Sequence, residues 1–340
     1  MYDPFIRGRF SVGVRTVEAV DSVRNIHFPC EVWYPADVSH FGQDYVHHRL
    51  DTFSIPGGSE SRTQDAIRDA AAMAEPFPLV VYSHPSGRWK RQTATFLCTH
   101  LASHGFVVAA LDHTSATPHA KDDDVGRSRV FDVTFLIDFM LKGGAGADIQ
   151  IEPSRIGAVG HSFGGWTVLS AMETESRIRA LAVFAPAGGS NPRPGVFPGK
   201  LRFKWKREAP TLYLIAENDV MTPVKGIADM FKRTPPPKRS FILRRADHHH
   251  FVDEIEHEHE VVRTTLWPDE LKWISDEMRP ASELTSGEKA QAFVSALTLA
   301  HFDANLLWKE EARHWFASGV RSHLAERGID GYEAGRSART

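Results

Sequence analysis

The sequence predicts an α/β chain built on a mostly parallel central sheet with helices on both faces. Three observations carry this. Short apolar runs of strand length alternate with helical patterns along most of the chain. One strand-to-helix junction reads Gly160-His161-Ser162-Phe163-Gly164-Gly165, a tight turn with a serine at its apex. Two later strand ends run directly into loops rich in acids and histidines, at the carboxyl ends where open α/β sheets place their sites.

In chain order, residues 10–20 and 29–35 read as a strand pair. Residues 37–75 form an insertion, first polar, then an Ala-rich stretch that predicts a helix over about 62–73. Parallel strands are expected at 79–82, 106–111, 155–159, 178–184, 211–216 and 240–243. Helices fall between them, near 92–103, 129–141, 163–173 and 224–231. Beyond His250 the chain reads helical with a polar break at 280–286, and amphipathic patterns at 289–308 and 311–326 form a helical C-terminal extension. The polar stretch 331–340 is expected to fray. The whole, residues 1–340, is expected to form a single domain.

Composition excludes several classes. A net charge of −3 gives no global bias toward nucleic acid. No apolar run approaches membrane-spanning length, so stable membrane insertion is not expected. The start, Met1-Tyr2-Asp3-Pro4, lacks the basic and apolar regions of a secretory signal, and a cytoplasmic location is the expectation. Two cysteines, Cys30 and Cys98, are too few for a disulfide scaffold and read as buried thiols.

The chemistry centres on Ser162. A serine on a strand–turn–helix junction is held with its hydroxyl exposed, and the first N–H of the following helix, that of Phe163, points where an oxyanion would form. Such a serine needs a base, and the base needs an orienting acid. Glu217 and Asp219 follow the strand at 211–216, and three consecutive histidines, His248, His249 and His250, follow the strand at 240–243. From the residues alone either acid and any of the three imidazoles could serve.

Gly-His-Ser-Phe-Gly-Gly, the loop from Asp219 to Pro223 and the His248-x-x-Phe251 ending resemble the α/β-hydrolase superfamily. More narrowly they resemble its platelet-activating-factor acetylhydrolase and dienelactone-hydrolase-like branch of serine esterases. Val12 to Thr16 with Glu31-Val32-Trp33-Tyr34-Pro35, Pro78 to His84, and Leu101 to Val108 support the likeness, which covers roughly residues 10–255. The resemblance implies the α/β-hydrolase fold, Asp219 as the acid and His248 as the base. It places the second oxyanion donor on Ser86, after a His84-Pro85 pair where relatives usually carry His-Gly. An acid placed after this strand is similar to dienelactone hydrolases and cutinase-like polyesterases more than to mammalian acetylhydrolases.

Two further stretches stand out. His248 to His250 with Asp253, His257 and His259 could suggest a metal, with Asp253 and His257 on one helical face. A serine hydrolase needs none, so no metal or cofactor is expected and residues 254–260 read as an acidic surface. The connection 188–208 is Pro/Gly-rich, then basic and aromatic, and is long enough to be a lid. Phe197, Phe203 and Trp205, together with Trp166 on the nucleophile helix, are the expected substrate contacts, with Lys204 and Lys206 as a basic rim. The plain alternative is a solvated loop with one anchoring aromatic.

The sequence therefore predicts hydrolysis of a small-molecule carboxylic ester through an acyl-enzyme, with Ser162, His248 and Asp219 as triad. The same triad could open a lactone, thioester or amide, and a hydrolase-like fold that binds ligands without turnover is the alternative class.

Overall fold

The computed structural model describes residues 2–54, 61–113, 122–190, 193, 199–205 and 207–337. Its strands are β1 (Val12–Asp21), β2 (Ile26–Pro35), β3 (Asp51–Ser54), β4 (Ser61–Gln64), β5 (Ile67–Arg68), β6 (Phe77–Ser83), β7 (Val107–Leu111), β8 (Ile151–His161), β9 (Ile178–Phe184), β10 (Thr211–Ala216), β11 (Lys238–Leu243) and β12 (Gly331–Ser337). Its helices are α1 (Thr95–Ser103), α2 (Asp122–Leu141), α3 (Phe163–Ala171), α4 (Val224–Arg233), α5 (Ile255–Thr264), α6 (Trp273–Glu277), α7 (Gly287–Asn305), α8 (Glu310–Ala317) and α9 (Val320–Glu326).

Ten strands join in the order β12-β11-β10-β9-β8-β6-β7-β2-β1-β5. From β11 across to β7 the neighbours run parallel, and β2 turns the sheet antiparallel against β7 and β1. This is the α/β-hydrolase fold. Side chains alternate between its two cores, as period-two geometry demands. Leu212, Leu214 and Ala216 of β10 enter one core, while Tyr213 and Ile215 enter the other. The first core lies under α1 and the C-terminal helices, with Leu97, Phe293, Leu297 and Phe302 in it. The second lies under α2, α3 and α4, with Leu136, Leu169 and Met230. Because both faces are covered, the central strands are buried throughout, and that is why they read as continuous apolar runs.

Three expectations about elements give way. The helix over 62–73 does not form. Ser61–Gln64 pairs with β3, and Ile67–Arg68 adds a short edge to β1. Polar tertiary bonds override alanine's helical preference there: Gln64 accepts from the Trp33 indole at 2.6 Å and donates to Asp51 at 2.7 Å, and Arg68 reaches Asp51 at 2.6 Å. The pattern at 311–326 divides into α8 and α9 at Gly319, whose φ of 106° suits a glycine. The stretch expected to fray is β12 as far as Ser337, an edge strand antiparallel to β11; residues 338–340 lie outside the described residues. Cys30 and Cys98 are buried free thiols, as expected. Among the described residues no helix is long and apolar enough to cross a membrane.

Candidate active site

The turn between β8 and α3 is tight for a steric reason. A Cβ on Gly160 would lie 2.2 Å from the Gly164 carbonyl oxygen, and one on Gly164 would lie 1.9 Å from that of Ser83. Only glycines allow this approach. The turn forces Ser162 to φ 55° and ψ −119°, a strained geometry for a residue with a side chain. Its backbone is pinned on both sides: Ser162 N–H donates to Phe184 O at 2.9 Å, and Ser162 O accepts from Ala187 N–H at 2.9 Å.

Asp219 and His248 sit in the loops after β10 and β11. His248 Nδ1–H donates to Asp219 Oδ2 at 2.8 Å, which leaves Nε2 as the basic nitrogen of the ring. Asp219 also accepts from Met221 N–H, Thr222 N–H and Thr222 Oγ1 at 2.9, 2.7 and 2.7 Å. Burial raises its pKa, but the His248 charge and these hydrogen bonds outweigh burial and hold it below the ordinary carboxylate value. For His248 burial works downward, yet the Asp219 charge and hydrogen bond, with Asp247 nearby, hold it above its ordinary value. Asp247 ties the two loops together, its Oδ1 accepting from His248 N–H at 2.7 Å and Val220 N–H at 3.3 Å.

Two of the competing residues, Glu217 and His250, bond elsewhere, while His249 lines one cavity with His248. Glu217 accepts from Arg245 N–H at 3.1 Å. His250 donates through Nε2 to Thr285 O at 3.0 Å, and its Nδ1 accepts from Asp247 N–H at 3.0 Å. His249 packs its ring 5.5 Å from Trp89. Phe251 is fully buried against Phe184 and His161, and so anchors the histidine loop.

Ser162, Phe163, Ser86 and His248 line one cavity of about 420 Å³. Its apolar wall comes chiefly from Trp89, Met221, Val262, Trp267, Leu271 and Ile274. Val262, Ile274 and Met278 form a small core of their own over α5 and α6, packed on Val220 and Met221 of the acid loop. Among the described residues, the segment that covers the cavity is therefore α5–α6.

Trp166, Phe203 and Trp205 do not line this cavity. Trp166 is buried with its ring 5.6 Å from Phe163. Phe203 and Trp205 pack together on the core beneath α4, and Arg233 lies over the Phe203 ring. Lys204 is exposed; Phe197 and Lys206 lie outside the described residues. Within 188–208, Arg193 reaches the cap, pairing with Glu277 at 2.6 Å and covering Trp273.

The histidine-rich stretch also departs from its expectation. Asp253 precedes α5 and caps α1 instead, accepting from Thr95 N–H at 2.8 Å and Phe96 N–H at 3.0 Å. Glu258 and His259 are buried, not part of an acidic surface. Glu258 pairs with Arg62 and, at 3.0 Å, with Arg88 of the loop that carries Ser86. No group of three or more metal-ligating side chains is gathered among the described residues.

Sequence reasoning passed over the cap residues. The signal was present in the apolar density of Leu266-Trp267-Pro268, Leu271 and Trp273-Ile274, directly after the acidic helix.

Residues 85–298, well over half of the chain, match the family model described as PETase, PET hydrolase-like. The chain belongs to the PET hydrolase-like family. It is 25% identical to the platelet-activating factor acetylhydrolase of Gallus gallus over 217 residues, covering 45% of this chain and 51% of that protein. It is 27% identical to cutinase est1 of Thermobifida alba over 148 residues, covering 43% of this chain and 44% of that one. The chain thus spans about half the length of the curated relatives it matches. A solved ferulic acid esterase from Streptomyces cinnamoneus superposes with a TM-score of 0.64 at 23% identity, over 88% of this chain and 92% of that one, and shares the fold.

Proposed function

We propose that this PET hydrolase-like chain is a serine hydrolase of carboxylic esters that works through an acyl-enzyme. One observation carries the reading: the strained Ser162 opens into the same cavity as His248, and His248 is held by a buried Asp219 at 2.8 Å. In this account His248 Nε2 takes the Ser162 proton as the oxygen attacks the carbonyl carbon. Asp219 keeps the imidazole in the required tautomer and stabilises the imidazolium. The N–H groups of Phe163 and Ser86 receive the oxyanion; one such donor is worth about 3 kcal/mol of barrier. His248 then protonates the departing alcohol, and water repeats the sequence on the acyl-enzyme. No cofactor is needed for these steps.

The substrate class follows from the cavity and the relatives together. Two indoles and a set of aliphatic side chains around about 420 Å³ favour an ester with an aromatic or short aliphatic acyl group. The cutinase and ferulic acid esterase similarities point the same way. The test is turnover of p-nitrophenyl esters of graded chain length and of aromatic diesters by the purified chain and by Ser162→Ala. Hydrolysis by the parent chain alone is the expected result. Turnover by both, or by neither, counts against the proposal.

A further inference from the structure

A buried polar cluster lies under the loop that follows β6, apart from the triad. His113 meets Ser83 Oγ through Nε2 at 2.8 Å and Asp132 Oδ2 through Nδ1 at 2.9 Å. The spacing imitates a second Ser-His-Asp set, but Ser83 and Asp132 are 0% exposed. Arg24 also occupies the other Asp132 oxygen at 2.6 Å. The remaining bonds of the cluster run to the loop backbone. His113 N–H donates to His84 Nε2 at 3.1 Å, and His84 Nδ1–H donates to Pro85 O at 2.7 Å.

Arg129 of α2 completes this cluster in a different way. It is 3% exposed, and among the described residues its guanidinium makes no ion pair and its Nε no hydrogen bond. It does two things: Nη2 donates to the His84 carbonyl, and the guanidinium lies over the Phe163 ring, 4.5 Å from its centroid. One buried cation therefore touches the loop that carries Ser86 and the residue that opens α3.

We infer that Arg129 is a positioning residue for the oxyanion hole, bracing the 84–86 loop and Phe163 from beneath the cavity. The inference rests on the proposed roles of the Phe163 and Ser86 N–H groups. A buried cation is costly to desolvate, and the charge of Asp132, the His84 carbonyl and the Phe163 π face offset part of that cost. Burial draws the guanidinium pKa down to about 9, so it stays charged at neutral pH. Held between the His84 carbonyl and the Phe163 ring, the guanidinium fixes the backbone that carries the two N–H donors, and its charge favours the negative charge they receive, in surroundings where water screens little. Such an effect is felt in the transition state more than in substrate binding, so it belongs in kcat.

The experiment compares Arg129→Met, Arg129→Lys and Phe163→Leu with the parent chain. It reads kcat and KM on p-nitrophenyl acetate, thermal unfolding, and inhibition by phenylboronic acid as a tetrahedral analogue. Arg129→Met is expected to unfold cooperatively, keep KM within about threefold, and lose roughly ten- to a hundredfold in kcat. Its boronate inhibition constant should rise by a similar factor, and Arg129→Lys should recover part of the loss. Parent-level kcat in Arg129→Met, or a loss confined to KM, overturns the inference. If Arg129→Met does not fold, Phe163→Leu decides: a kcat loss of about fivefold or more at constant KM supports the brace, and unchanged kcat overturns it. A parent chain that a fluorophosphonate does not modify at Ser162 defeats the serine mechanism itself. A modified parent chain with fully active Arg129→Met defeats only the brace.

Discussion

His161 donates its Nε2–H to the backbone carbonyl of His248 at 3.0 Å, and the two imidazoles lie 4.9 Å apart. The residue before the proposed nucleophile thereby holds the residue proposed as its base. Burial keeps His161 neutral, with its pKa far below the ordinary value, so this donor tautomer persists. His161→Ala is expected to lower stability by about 1–3 kcal/mol through the orphaned His248 carbonyl, and to reduce kcat more than it changes KM. Urea unfolding and steady-state kinetics check it. An unchanged midpoint together with unchanged kcat rejects the link.

The charge state of His248 sets the pH dependence. As the proposed base it must be neutral, and its pKa lies above the ordinary 6.5, so kcat/KM should fall as pH drops through that raised value. Asp219→Asn removes the charge that raises it and leaves burial, which lowers it. The acid limb of the residual activity should move to lower pH, while kcat drops by about 10⁴. Folding carries a matching signature. The stabilisation from His248 is full below 6.5 and lost as pH rises through its folded value; that from Asp219 is present above 3.8 and lost as pH falls through its folded value. An acid limb that stays in place in Asp219→Asn contradicts the pairing.

Substrate choice should follow the cap. Trp267→Ala removes an indole from the cavity wall and is expected to raise KM for a bulky aromatic ester by roughly tenfold, with acetate esters little affected. Phe203 and Trp205 pack away from the cavity, so their joint replacement by Ala should reduce stability without shifting the ratio of the two substrates. Specificity constants for the two esters decide between the segments. A ratio changed by the Phe203/Trp205 variant and not by Trp267→Ala reverses the assignment.

Asp253 should matter for stability alone. Its carboxylate is buried at the N-terminus of α1, with three donors from Thr95 and Phe96. Asp253→Ala is expected to cost about 1–3 kcal/mol, more than Asp253→Asn, as a lost cap with stranded donors. Thermal unfolding measures this, and equal midpoints for the parent and Asp253→Ala refute it.

The parts legible in the sequence share a physical cause. Strands buried on both faces must be largely apolar, so β6, β7 and β10 were visible as short apolar runs, and β9 as one interrupted by the exposed Arg179. The Gly160–Gly165 turn was visible because backbone contact excludes every side chain there. What stayed hidden depends on contacts distant in sequence. β12 is a polar edge held by its ladder to β11, so no apolar period marks it. The insertion follows Gln64 and Asp51, partners its alanines do not reveal. Phe203 and Trp267 are both aromatics in connecting segments. Only the packing of α5 and α6 on Met221 shows which one reaches the cavity.

The central claim is that Ser162 is the nucleophile, and covalent capture tests it most directly. The chain is incubated with a fluorophosphonate, digested, and mapped by mass spectrometry while turnover is followed in parallel. The account predicts one adduct, on the peptide holding Ser162, rising in step with loss of activity, and neither adduct nor turnover in a folded Ser162→Ala variant. An adduct on another residue, or more than a few per cent of turnover in Ser162→Ala, contradicts it.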